Sequence, residues 1–85
     1  MEIHYLSWLG NRIGKAKEMI DLPDGVDTLN KMIEWLSAQN SPHKNLFSHR
    51  DVIKASVNGV LIYDWNNCEI TNADTITFFS PMAGG

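Results

Sequence analysis

The sequence predicts an α+β fold in which one main helix packs across one face of a mixed sheet. Segments rich in β-branched and aromatic residues lie near both ends of the chain, and a single amphipathic stretch lies between them. With 85 residues the chain is expected to form one domain. We place this domain at residues 1–79, followed by a flexible tail at residues 80–85.

Two strands are predicted before the helix. The apolar run Ile3–Trp8 favours a central strand, and Gly10–Gly14 predicts a short connection after it. The segment Ala16–Leu22 alternates polar and apolar residues, which is typical of an edge strand. A turn is expected at Pro23–Gly25.

The main helix is predicted from Thr28 to about Gln39. Asp27 and Thr28 offer side-chain oxygens that can cap its first turn. Four apolar residues follow at helical spacing and form one stripe: Leu29, Met32, Ile33 and Leu36. This stripe is expected to hold the helix against the sheet.

Three further strands are predicted after the helix, at Val52–Val57, Val60–Ile62 and Thr75–Phe79. Asn40–Asp51 is polar and predicts a loop, while Asn58-Gly59 is a strong hairpin signal. Tyr63–Ala73 is rich in turns, with Trp65 and Ile70 as expected core anchors. Side-by-side first and last strands at the centre of one sheet would give the β-grasp arrangement.

Composition narrows the classes of function. The net charge is −3 and no basic stripe occurs, which argues against nucleic acid as a partner. No apolar run is long enough to span a bilayer, and the start of the chain lacks the pattern of a signal peptide. The single cysteine, Cys68, cannot form an internal disulfide. We therefore expect a cytoplasmic protein without membrane contact.

The last six residues suit chemistry on the C-terminal carboxylate. Gly84 and Gly85 lack the Cβ that would shield a reacting carbonyl or block entry into a narrow channel. Pro81 favours an extended exit from the preceding strand. At roughly 3.3–3.6 Å per residue the segment could reach about 20 Å. The alternative is a frayed end without any chemistry.

The tail and the element order together resemble the small subunit of molybdopterin synthase, in the MoaD/ThiS family of ubiquitin-like sulfur carriers. The resemblance rests on the stretches Tyr5–Gly14, Val57–Gly59 and Phe78–Gly85. Members commonly end in Phe-Phe-Pro-Pro-x-x-Gly-Gly, so Ser80 replaces a proline and makes this tail less rigid. The long Asn40–Asp51 connection favours the molybdopterin branch over the shorter thiamine-pathway carriers.

The resemblance implies that other proteins supply the catalytic groups. A ubiquitin-activating-like adenylyltransferase would use ATP to adenylate Gly85, and a persulfide protein would supply sulfur to form a thiocarboxylate. The molybdopterin synthase large subunit would then pass this sulfur to a cyclic pyranopterin precursor. The small subunit would bind no permanent cofactor.

Partner binding is predicted at the tail and at one side chain of the last strand. Neighbouring strand residues point to opposite faces, so only one of Phe78 and Phe79 is expected in the core. We assign Phe79 to the partner surface, although both rings could pack internally. The remaining predicted partner-binding residues are Ser80, Pro81, Met82 and Ala83.

Three alternatives for the whole protein stay open at this stage. These are a thiamine-pathway carrier, a modifier that forms an isopeptide bond from Gly85 to a lysine, and a passive interaction domain.

Other residue groups have weaker interpretations. The three histidines and Cys68 match no zinc spacing, so no metal site is predicted. Ser48–Asp51 contains the residue types of a hydrolytic triad, but sequence neighbours rarely converge as one. Cys68 could carry a persulfide, although packing is the simpler interpretation. Trp35 lies off the apolar stripe and could mark a partner surface.

Overall fold

The structure is a computed structural model that describes residues 1–81. It contains strands β1 (Glu2–Tyr5), β2 (Lys17–Met19), β3 (Lys54–Val57), β4 (Val60–Ile62) and β5 (Thr75–Phe79). Its helices are α1 (Trp8–Ile13), α2 (Leu29–Gln39) and α3 (Ser41–Phe47), with a 3-10 helix at Arg50–Val52.

The five strands form one mixed sheet in the order β2-β1-β5-β3-β4. β1 and β5 run parallel, with Tyr5 opposite Phe78, and the other neighbouring strands run antiparallel. The first and last strands therefore lie side by side, as predicted, and β2 forms an edge. This arrangement confirms the β-grasp fold.

One hydrophobic core lies between the sheet and the helices. The predicted stripe of α2 is buried, and Thr28 caps the helix by accepting a hydrogen bond from the Lys31 amide at 3.2 Å. Trp65 and Ile70 are buried in the same core, as expected. The connection between β4 and β5 runs beside the start of α2, where Leu29 N donates to Cys68 O. This connection therefore lies on the core side of the sheet.

The Asn58-Gly59 hairpin is confirmed. Both residues have positive φ, at 51° and 84°, which a two-residue turn between twisted strands requires. The Asn58 side chain also binds the start of β5, because its Oδ1 accepts from Thr75 N at 2.9 Å. The turn thus joins β3 to β4 and positions the last strand.

The prediction of a strand through Trp8 and a loop to Gly14 is wrong. β1 ends at Tyr5, and α1 occupies the connection, with Leu9 and Ile13 buried one turn apart. Gly10 permits this close packing, since a Cβ there would lie 3.1 Å from Tyr5 O. A six-residue helix containing glycine has little intrinsic helical preference, so its packing against β1 must stabilise it.

The prediction of a loop over Asn40–Asp51 is also wrong. α3 begins directly after α2, because Asn40 is both the last flanking residue of α2 and the residue that precedes α3. Pro42 suits the first turn of a helix, and the buried residues His43, Leu46 and Phe47 lie on one helical face. Because the 3-10 helix extends to Val52, β3 begins at Lys54 and not at Val52, where the strand was predicted to begin.

Ser7 holds a strained backbone conformation at the end of β1. Its φ of 57° and ψ of −137° suit glycine, and such conformations cost about 1–3 kcal/mol in other residues. We expect Ser7→Gly to raise the free energy of unfolding by about 1 kcal/mol, and the melting temperature by about 4–8 °C.

Ser7→Ala is the matched control for this thermal melt. The Ser7 side chain makes no capping hydrogen bond, so alanine should change the melting temperature little. A Ser7→Gly chain that melts at or below the wild-type temperature would show that this backbone stores no strain.

Within residues 1–81, none of the helices has the length and apolar content needed to cross a lipid bilayer.

Candidate functional site

The candidate site is the end of β5 and the surface around it. β5 pairs with β1 on one side and β3 on the other, so both of its edges are hydrogen-bonded. Leu6 N donates to Phe78 O at 3.0 Å, and Lys54 lies opposite Phe79. The chain therefore leaves the sheet from its centre, between the end of β1 and the start of β3.

Phe78 anchors this strand in the core. Its side chain has no solvent exposure, and its ring stacks against Tyr5 at a centroid distance of 5.8 Å. Phe47 meets the same ring edge-on at 5.0 Å, and Trp65 lies 5.8 Å away. Burial of an aromatic ring among three others fixes the position from which the tail departs.

Phe79 points to the opposite face of the sheet and is half-buried, as the alternation along β5 requires. Ser80 is also half-buried, and Pro81 is exposed. Four predicted site residues lie outside the described residues: Met82, Ala83, Gly84 and Gly85. Of the predicted site, the structure thus places Phe79, Ser80 and Pro81 at the sheet end.

The sheet face that carries Phe79, which we call the open face, has several exposed apolar side chains. Met19 lies opposite Glu2 and is 73% exposed, and Leu61 lies opposite Ser56. Leu6 and Tyr63 continue the same alternation beyond their strands and are 48% and 81% exposed. Met19 lies at the end of the face where β5 begins, whereas Leu6 and Tyr63 lie at the end where the tail departs. Exposed apolar side chains beside such an exit are typical of a protein-binding surface.

Sequence reasoning missed Leu6, Lys54 and Tyr63 as neighbours of the site. Lys54 lies opposite Phe79 and lines one depression together with Tyr63, and Leu6 lines another on the β1 side of β5. Only the strand register brings these residues together. The alternation of each separate strand could have indicated their outward direction but not their proximity.

A buried network of polar side chains links the sheet to a helix beside the site. Tyr5 Oη donates to Glu18 Oε2 at 2.8 Å, and His43 Nε2 lies 2.9 Å from the same oxygen. Because a carboxylate only accepts, Nε2 carries the hydrogen of this bond. Among the described residues, His43 Nδ1 has no hydrogen-bond partner. The network joins β1, β2 and α3.

The network shifts two pKa values in opposite directions. Burial raises the pKa of Glu18, but hydrogen bonds from His43 and Tyr5, with the charges of His43 and Lys15, outweigh burial and lower it overall. Burial and the Glu18 carboxylate raise the pKa of Tyr5 far above its ordinary value. At neutral pH the pair is therefore an ionised carboxylate and a neutral phenol.

The structure also locates the residues with weaker interpretations. Cys68 packs against the core, and burial, with the Asp74 charge, raises the pKa of its thiol, which disfavours the reactive thiolate. Trp35 packs partly against the core.

Two residues of the Ser48–Asp51 segment make ordinary hydrogen bonds. Ser48 Oγ donates to Asn45 O, and the Arg50 guanidinium donates to Asn30 Oδ1. No three potential metal ligands cluster anywhere in residues 1–81.

The fold and the exit of β5 define a ubiquitin-like β-grasp domain whose C-terminal residues follow a central strand. The chain belongs to the ThiS family, whose model matches residues 3–85. This family comprises ubiquitin-like sulfur carriers of the ThiS/MoaD type. No curated protein sequence gives a significant match.

Two solved structures share the fold. A protein of Pyrococcus furiosus, described as a candidate molybdopterin converting factor subunit 1, is 22% identical with a TM-score of 0.73, over 95% of each chain. SAMP1 of Haloferax volcanii is 21% identical with a TM-score of 0.72, over 100% of this chain and 98% of that one. At 21–22% identity, the similarity to these two structures shows a shared fold.

Proposed function

We propose that this chain is the sulfur-donating subunit of molybdopterin synthase in molybdenum cofactor synthesis. The observation that carries the proposal is that β5 is anchored at the sheet centre up to Phe79, with six residues left to reach the Gly85 carboxylate. The likeness to the Pyrococcus furiosus protein and the tail sequence Phe78–Gly85 support the molybdopterin pathway.

Activation of Gly85 requires another protein. A carboxylate is a poor acyl donor, and the sequence has no Gly-rich phosphate-binding motif of its own. A ubiquitin-activating-like adenylyltransferase would join AMP from ATP to the Gly85 carboxylate and release pyrophosphate. A partner's persulfide sulfur would attack the acyl carbon and displace AMP. A thiol would then cleave the acyl disulfide and leave the thiocarboxylate.

Sulfur delivery uses the same tail. The thiocarboxylate would enter the large subunit, where its sulfur bonds to the cyclic pyranopterin precursor. Water would then cleave the acyl C–S bond and supply the oxygen that returns Gly85 to a carboxylate. The large subunit would supply the groups that catalyse this step. The contribution of this chain is to hold the tail base rigidly while the tail itself is inserted.

Docking must accompany insertion of the tail. Fixing each backbone residue costs about 1–2 kcal/mol, so ordering the tail costs on the order of 5–10 kcal/mol. Burial of one large apolar side chain contributes about 1.5–3 kcal/mol, and the open face offers Phe79, Leu6 and Tyr63. We assign the partner contact to this face together with Ser80, Pro81, Met82 and Ala83.

Incubation with ATP, a sulfur source and an extract of the native cell is expected to place one sulfur on Gly85. Intact mass measures the exchange of oxygen for sulfur. Oxidation of any of the four methionines adds nearly the same mass, so C-terminal fragmentation must localise the change. A chain lacking Gly85 should gain no sulfur.

Gly85→Ala is the matched control, because it keeps the tail length and the carboxylate but adds a Cβ beside the reacting carbon. We expect it to load more slowly than the wild type. Unmodified Gly85, in an extract that loads another sulfur carrier, would contradict the proposal, and lysine-linked conjugates would indicate a protein modifier. Dithiolene formation with the purified large subunit distinguishes molybdopterin from thiamine synthesis.

A further inference from the structure

Charged residues are segregated along the strand direction. β1 and β5 end where β2 and β3 begin, so the tail leaves the sheet at that end. The connection over residues 6–16 lies there and carries Arg12 and Lys15 but no carboxylate. The start of β3 adds Arg50 and Lys54, and the carboxylates at this end are Asp51 and, after the end of β4, Asp64. We call Arg12, Lys15, Arg50 and Lys54 the basic rim.

The opposite end of the sheet is acidic. The connection over residues 20–27 carries Asp21, Asp24 and Asp27 without a cation, and Asp74 precedes β5 at the same end. The whole chain has a net charge of −3. A protein that is negative as a whole therefore has a local excess of positive charge where its tail departs.

Most cations of the basic rim have no acidic partner among residues 1–81. In the described part of the chain, no carboxylate lies within ion-pair distance of Arg12, Arg50 or Lys54, and Lys15 contacts Glu18 at 3.8 Å. The Arg12 guanidinium lies 5.4 Å from the centre of the Trp8 ring, and that of Arg50 lies 4.3 Å from Trp65. Ring contacts fix the position of a guanidinium without neutralising its charge.

We infer that the basic rim docks on a carboxylate-bearing surface of the ubiquitin-activating-like enzyme, around the channel that receives the tail for adenylation. The inference rests on the proposed function and adds to it that the partner surface around the channel entrance is acidic. Opposite charges at the two ends of the sheet would orient the chain tail-first as it approaches an acidic surface. Because Lys54 lies opposite Phe79, the ionic contact and the apolar contact with the partner would form side by side.

The test compares two double variants of equal charge. Arg12→Glu with Lys54→Glu reverses both flanks of the basic rim, while Lys31→Glu with Lys44→Glu makes the same change on α2 and α3. The readout is kcat/KM for adenylation by the ubiquitin-activating-like enzyme of the same organism, followed as ATP–pyrophosphate exchange over a range of salt concentrations. Thermal melts establish that each variant is folded.

At low salt we expect the rim variant to lose about tenfold or more in kcat/KM, and the control variant to lose much less. The difference should shrink as salt screens the charges. If the rim variant does not fold, Arg12→Gln with Lys54→Gln gives the same comparison without new carboxylates.

Equal losses in the two variants would overturn the inference while leaving the proposed function intact. A wild-type chain that the enzyme does not adenylate would instead overturn the proposed function, and the rim assignment with it. Binding of wild-type protein to a double-stranded DNA oligonucleotide, lost in the rim variant alone, would reassign the basic rim to nucleic acid.

Discussion

Phe78→Ala is expected to lower the free energy of unfolding by about 3–5 kcal/mol. Phe78 has no solvent exposure and lies on the central strand, where the rings of Tyr5, Phe47 and Trp65 surround it. Alanine would leave a cavity that three rigid rings cannot fill. Small domains are stable by about 5–15 kcal/mol, so this one change would remove a large share of the stability. Urea titration measures the loss.

Phe79→Ala is the matched control, since it removes the same ring from the adjacent position on the other face. We expect this variant to lose about 1 kcal/mol of stability, because Phe79 is only half-buried. Under the proposed function it should also weaken assembly with the large subunit of molybdopterin synthase, measured by calorimetric titration of the folded variant. Equal losses of stability in both variants, or unchanged assembly of Phe79→Ala, would contradict the division of roles between the two rings.

The elements that the sequence predicted well are those whose signals are local. The α2 stripe repeats at helical spacing over two turns, and Asn58-Gly59 has the backbone freedom that a tight hairpin requires. The alternation of β5 likewise predicted that one phenylalanine would be buried and the other would face outward. Each of these signals lies within a dozen residues.

The elements that the sequence failed to predict depend on contacts between distant residues. α1 has six residues and contains Gly10, so its packing against β1 rather than its propensity determines its conformation. α3 follows α2 with only Asn40 between them. Its residues are mostly polar, which predicted a loop, although one face of the helix is buried. His43 lies in the segment that was predicted as a loop, and it is instead a buried residue of α3.

The candidate site was only partly predictable for the same reason. The tail and the outward direction of Phe79 are properties of one segment. The open face and the basic rim join β1, β3, β4 and the connection over residues 6–16, and their proximity follows from the strand order and register. The parallel pairing of β1 with β5 is the long-range step that brings Leu6 beside the end of the last strand.

Glu18→Ala is expected to lower the free energy of unfolding by about 2–4 kcal/mol at neutral pH. The change leaves the Tyr5 hydroxyl and His43 Nε2 without their shared acceptor inside the protein, and buried donors without partners cost about 1–3 kcal/mol each. Lys17→Ala removes a neighbouring charged side chain that is largely exposed and should have little effect. Equal losses in the two variants would show that the network adds nothing specific.

The same network predicts how stability depends on pH. The pKa of Glu18 is lowered in the folded state, so its stabilisation is present above the unfolded pKa of about 4.5 and is lost as pH falls through the folded value. The pKa of Tyr5 is raised, so the unfolded chain loses this proton near pH 10 while the folded protein keeps it. Stability should therefore also fall above about pH 10. In urea titrations at different pH values, Tyr5→Phe should reduce the loss of stability above pH 10, and Glu18→Gln should reduce the loss of stability in acid. If both variants keep the wild-type dependence of stability on pH, other groups control that dependence.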